Sequence, residues 1–251
     1  MTWARFRLAL DLQWLVLDLL ETALGYTLTP MDVSFSIVQK IVLWALPVLI
    51  AVVFHELAHG YVAYRLGDST AARAGRLTLN PLAHIDLFGT VIMPLLLVLS
   101  GAPFLFGYAK PVPVNFLNLR NPRRDMVLVA LAGPMMNLAL AGISALALRF
   151  FLLPAVQAST GGGLAALGLL FIALVVQSFI LMNVGLAVFN MLPLPPLDGG
   201  RVATGLLPQA PALALARLEP YGMLIILLLV SSGKLDAILG PMTAFLLNVL
   251  L

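Results

Sequence analysis

Long apolar stretches separated by short polar interruptions dominate the chain. A hydrocarbon core about 30 Å thick takes about 20 apolar residues as helix, so the longer stretches predict membrane spans. The first clear one runs from about residue 37 to 64, a second from about 126 to 153 and a third from about 164 to 192. Two shorter apolar segments, 221–231 and 235–251, are split by Ser231-Ser232-Gly233-Lys234. Residues 88–106 are apolar too, but Gly89, Pro94, Gly101 and Pro103 interrupt them.

The polar stretches carry their own patterns. Between Arg73 and Leu82 apolar and polar positions alternate loosely and end in Asn80-Pro81, which predicts a short strand or hairpin. Lys110-Pro111-Val112-Pro113-Val114-Asn115 cannot be helical, because its alternating prolines force an extended backbone. Near the N-terminus Arg7, Asp11, Asp18 and Glu21 share one helical face and no small-x-small cleavage site follows, so residues 1–30 predict an interfacial amphipathic helix.

Composition fixes the solvent. Of 251 residues 61% are hydrophobic and only 10% charged, against roughly 25% charged in soluble domains. Lipid must therefore cover much of the surface. The net charge of +3 comes from basic residues scattered singly between apolar runs, a pattern that suits positive-inside anchoring and offers nucleic acid no extended stripe. Cysteine is absent, which excludes disulfides, a thiol nucleophile and thiolate metal ligands and leaves His and carboxylate.

The chemistry concentrates at His55-Glu56-Leu57-Ala58-His59, within the first span. Residues four apart share a helix face, so His55 and His59 can present two imidazoles to one metal ion. Glu56 adjoins the first of them and can serve the attacking water as general base. Ionisable groups inside a membrane are costly, so three together argue for a site over packing. Catalytic zinc usually takes three protein ligands. The remaining histidine, His84, and Asp198, at the end of Asn190-Met191-Leu192-Pro193-Leu194-Pro195-Pro196-Leu197-Asp198-Gly199-Gly200, are the candidates for the third.

At this point the chain resembles the site-2 protease family of intramembrane zinc metalloproteases. That family pairs H-E-x-x-H on one membrane helix with N-x-x-P…L-D-G on a later one, and both are present. Ala132-Gly133-Pro134-Met135-Met136-Asn137 matches a further block, A-G-P-x-x-N. Gly67-Asp68, Gly75 to Pro81, His84-Ile85-Asp86 and Ala109 to Pro113 look like the compact bacterial branch, and together the blocks cover most of residues 50–225. The resemblance implies one Zn2+ per chain held by His55, His59 and Asp198, with Glu56 as catalytic base. It also implies that Asn190 contacts the substrate backbone and that transmembrane proteins are the substrates. With three ligands assigned, His84 becomes a residue that fixes a ligand or a loop. The insertion between Asn137 and Asn183 is too short for the PDZ domain of many members, and nothing after residue 225 resembles a CBS pair. Motifs of serine and aspartyl intramembrane proteases are absent. A metal-binding transporter or a catalytically silent scaffold is the rival reading; nearly charge-free spans and the presence of Glu56 weigh against both.

Topology follows from the ligands. If residues 88–106 crossed, the first span and the span at 164–192 would run opposite ways, and Asp198 would lie tens of ångströms from His55 and His59. A re-entrant segment brings both ends to one depth. It also places nine of the 14 Lys and Arg on one side, which the positive-inside bias makes the cytosolic one. The chain is thus expected to be an all-α polytopic membrane protein of five to six helices, with a re-entrant segment and a small β element near the site. Residues 37–225 would be the catalytic core of a single domain spanning 1–251, in a bacterial or archaeal cell membrane with its site near the cytosolic face.

Overall fold

The computed structural model describes residues 37–100, 107–159 and 163–251. The expected interfacial helix at 1–30 lies outside them.

Helix α1 (Ile37–Arg65) continues through Pro47 to the start of a polar loop. Asp68 there accepts the backbone N–H of Thr70 and opens the short helix α2 (Thr70–Arg73). Gly75, at φ +65°, ends that turn. The expected strand at Arg73–Leu82 is therefore not formed. Its first residue closes a helix, its middle is turn and bend, and Asn80 caps a 3₁₀ turn at Pro81–Ala83. The alternation was loose, and local Asx-type bonds outcompete a ladder that has no partner strand. No strand occurs among the described residues, and Lys110–Asn115 is extended without belonging to a sheet.

The apolar stretch that follows starts as a π-helical turn, Leu87–Ile92, and continues as α3 (Met93–Leu99). Pro94 lacks the N–H that would bond four residues back, and a widened turn before it absorbs the defect. The chain then returns to where it left. Tyr108 N–H donates to the Gly89 carbonyl at 3.0 Å, and the Thr90 hydroxyl donates to the Tyr108 carbonyl at 2.9 Å. Both ends of the segment thus lie side by side.

Helix α4 (Pro122–Ala147) runs through a second π turn, Leu148–Leu152, into α5 (Leu153–Ala158), with Pro154 again just beyond the widened turn. Helix α6 (Leu164–Asn190) leads into a Pro-rich turn. Then come α7 (Asp198–Leu206), α8 (Gln209–Ala216), α9 (Glu219–Ser231) and α10 (Lys234–Leu250). Among the described residues three segments are long and apolar enough to cross a membrane: Val42–Arg65, Pro122–Ala158 and Leu164–Asn190. A fourth arises if α8 and α9, bent by 65° at their junction, count as one.

The three long helices pack on one another. Ala51 and His55 of α1 meet Asn137 of α4, while His59 meets Val129, so these helices are antiparallel. Asn137 also meets Asn183 of α6, and further from the site Ala145, Leu148 and Val156 share an apolar cluster with Ala173 and Ile180. Helices α4 and α6 are thus antiparallel as well. It follows that α1 and α6 run the same way and end on the same side.

Candidate metal centre

Two helices contribute to one buried cluster. His55 and His59 lie one turn apart on α1, and Asp198 is the first residue of α7. Their ring and carboxylate atoms converge. The two Nε2 atoms are 3.0 Å apart, and Asp198 Oδ2 lies 3.1 Å from that of His55 and 3.2 Å from that of His59. All three residues are buried.

The other ring nitrogens fix the tautomers. His59 Nδ1 lies 2.7 Å from the Val129 carbonyl oxygen, which can only accept, so Nδ1 carries the hydrogen. His55 Nδ1 lies 2.5 Å from Asn137 Oδ1. The Asn137 amide orientation is set independently, because its Nδ2 donates to Ala51 O at 3.2 Å and to Asn183 Oδ1 at 2.7 Å. A neutral ring that carries its hydrogen on Nδ1 presents a lone pair on Nε2. Two such nitrogens and a carboxylate oxygen, all acceptors, face one another out of water. That arrangement is repulsive by itself and attractive around a shared cation.

The donor set and spacing fit zinc. Two imidazoles and a carboxylate are ligands zinc favours, and separations of 3.0–3.2 Å approach the roughly 3.3 Å edges of a tetrahedron with bonds of about 2.0 Å. Gly133 keeps the space open: a Cβ there would press into both Nε2 atoms. Pro134 follows it and withholds an N–H from the helix, leaving the Ala130 carbonyl without its helical donor. Asp198 is delivered by glycine as well. A Cβ at Gly199 would collide with the Met191 and Leu192 carbonyls and one at Gly200 with Pro195, so the first turn of α7 can pack on the preceding loop only without side chains there.

The remaining sequence candidates fall in different places. The Glu56 carboxylate accepts the backbone N–H of Val112 at 2.7 Å, so the Pro-rich extended stretch lies against the cluster. His84 does not join the cluster. It is 1% exposed, its Nε2 donates to the Thr78 carbonyl, and its own carbonyl accepts from Lys110 N–H, which ties the loop to the extended stretch. Asn190 bonds within its own helix, its side-chain amide donating to the Leu186 carbonyl. Asn137 and Asn183 form the interhelical bond expected of such residues in membrane bundles. Sequence reasoning missed that Asn137 also orients His55; its place in the A-G-P-x-x-N block was the available signal. The Val129 carbonyl left none.

Residues 43–230 match the model of the family described as Peptidase family M50. The chain belongs to this family, the site-2 proteases. It is accordingly a zinc metalloprotease, and its apolar helices make it an integral membrane one. This M50 chain is 42% identical over 197 residues to "Putative zinc metalloprotease YwhC" of Bacillus subtilis, covering 77% of the chain and 82% of that protein. It is 32% identical over 189 residues to "Putative zinc metalloprotease Rip2" of Mycolicibacterium smegmatis, covering 75% and 66%. With Rip2 of Mycobacterium tuberculosis it shares 31% over 212 residues, covering 84% and 74%. No solved structure matches this M50 chain significantly.

Proposed function

We propose that the chain hydrolyses peptide bonds in or beside transmembrane segments of membrane proteins, as the executing step of regulated intramembrane proteolysis. The observation that carries this reading is the convergence of His55, His59 and Asp198 within one apolar helix bundle, with Glu56 adjoining them. In this reading His55, His59 and Asp198 hold one zinc ion per chain. Zinc in that position supplies a Lewis acid that lets water react as a nucleophile near neutral pH.

The chain's own residues do the rest. Glu56 accepts the proton of the attacking water and delivers it to the departing amine. Asn137 and the Val129 carbonyl hold the imidazole rings in their tautomers. A substrate helix hides its carbonyls in internal hydrogen bonds, so it must unwind locally, and unsatisfied backbone in lipid is costly. The extended Lys110–Asn115 stretch beside Glu56 offsets that cost by pairing with the unwound substrate. Asn190 serves as a further contact for the substrate backbone. Residues 37–225 form the catalytic core of a bundle of five to six membrane helices, to which α9 and α10 contribute. The site faces the cytosolic side of a bacterial or archaeal cell membrane.

The test is incubation of the purified protein with a panel of single-span membrane proteins, with and without a zinc chelator. Cleavage that the chelator stops is expected. Glu56→Gln should abolish cleavage with zinc still near one per chain, and full activity in this variant would remove the mechanism.

A further inference from the structure

Arg76 is the one buried arginine among the described residues, 8% exposed, and no described carboxylate pairs with it. Its guanidinium donates instead to two consecutive carbonyls of the extended stretch, Lys110 O at 2.8 Å and Pro111 O at 3.4 Å. Carbonyl partners alone do not compensate a buried charge well, and Arg76 Nε is buried without any partner. A residue held at such cost invites the question of what its contacts control.

The answer lies one peptide further on. Pro111 and Pro113 have no N–H, so Val112 carries the sole backbone donor of residues 111–113. That donor goes to Glu56 Oε2 at 2.7 Å. The peptide joining Pro111 to Val112 is therefore held at both ends, its carbonyl by the Arg76 cation and its N–H by the Glu56 carboxylate. Gly60 makes the approach possible. It lies one turn beyond Glu56 on α1, and a Cβ there would sit 2.9 Å from Val112 Cγ1 and 2.6 Å from Leu77 Cδ2. Val112 thus packs on bare helix backbone directly beside Glu56. A second tie, Lys110 N–H to the His84 carbonyl at 2.9 Å, fixes the register of the stretch.

We propose that Arg76 is a positioning residue for the reaction: through the Pro111–Val112 peptide it sets where the Glu56 carboxylate stands, leaving the other carboxylate oxygen to receive the proton. The inference rests on Glu56 as base. Without Arg76 the stretch keeps its fold through the His84 tie and the packing on Gly60, but the Val112 donor is no longer pinned. A base displaced by about 1 Å costs on the order of 100-fold in rate.

The experiment measures kcat, KM and zinc content on the panel member that the wild-type chain cleaves, using Arg76→Met, Arg76→Lys, Val112→Pro and the Arg76→Met/Val112→Pro pair. Arg76→Met should keep zinc near one per chain and KM within about twofold, while kcat falls at least about tenfold. Arg76→Lys, which retains one donor for Lys110 O, should recover part of that loss. Val112→Pro removes the donor itself and should lower kcat similarly. The double variant should be no worse than the poorer single one, because both act through one peptide. Loss of zinc or a raised KM with kcat intact in Arg76→Met, or additive losses in the pair, would overturn the proposal. Glu56→Gln, run alongside, separates the two levels. If it is active, the base assignment falls; if it is inactive while Arg76→Met keeps full kcat, only the positioning role falls.

Discussion

Asn137 makes three hydrogen bonds to three different groups, two across helix interfaces to α1 and one to Asn183 on α6. Replacing it with Leu keeps the volume but leaves His55 Nδ1–H without its acceptor. Zinc affinity, read by competition with a chelator, should fall about 10–100-fold in Asn137→Leu. The third ligand is testable at the same scale. Asp198→Ala should lower zinc content and end turnover, because it takes away the oxygen that faces both Nε2 atoms. His84→Ala should leave most of the zinc bound, since His84 bonds to the Thr78 carbonyl and not to the cluster. Metal analysis of the purified variants decides, and the opposite pattern would reassign the site.

Between α1 and α4 the elements are tied by a single buried carboxylate. Asp68 accepts from Thr70 N–H and hydroxyl, from Asn118 Nδ2 and from Asn115 N–H, so one side chain joins α2, the extended stretch and the approach to α4. Burial pushes the Asp68 carboxyl up, but the side-chain bonds from Thr70 and Asn118 and the backbone bonds from Asn115 and Thr70 outweigh it and hold the group below its ordinary value. A depressed value in the folded state contributes stability above the unfolded carboxylate range, and that contribution is lost as pH falls through the folded value. Asp68→Asn puts an amide donor among donors and should cost about 1–3 kcal/mol at neutral pH. Thermal unfolding in detergent should show a constant gap from wild type down to about pH 4, closing below it. A gap that persists at lower pH would mean the charge is not what holds the clasp.

For the whole molecule the decisive feature is direction. Helices α1 and α6 run the same way because the Leu87–Leu99 segment and its return bring the chain back to Gly89 and Thr90 before α4 begins. Asn118 donates to Asp68, which places Ser69 and Asn118 on one side of the bundle, while Ser159 follows the far end of α4 and α5. The chain has no cysteine, so single substitutions have no background. Ser69→Cys and Asn118→Cys should react alike with a membrane-impermeant thiol reagent on intact cells, both protected, and Ser159→Cys should be labelled. Labelling that separates position 69 from position 118 would break the parallel arrangement on which the metal cluster depends.

Much of this was legible in the sequence because it is written locally. The three long spans follow from uninterrupted apolar runs, and the pairing of His55 with His59 follows from a helical turn that exists before any tertiary contact forms. The motif blocks that identify the family are likewise strings of neighbouring residues. Legibility ended at Arg73–Leu82, where a weak alternation suggested a strand and Asp68 and Asn80 imposed turns instead. Three things were decided only when the helices packed. Asp198 reaches His59 across 139 positions of chain, and whether it or His84 does so depends on which helix ends share a side. The tautomers of both rings depend on an amide and a carbonyl from α4, which no residue in α1 encodes. The hold on Glu56 depends on a peptide 56 positions away. The physical reason is the same each time: propensity and periodicity act over one or two turns, whereas a bond between distant groups exists only once the directions and depths of the elements are set.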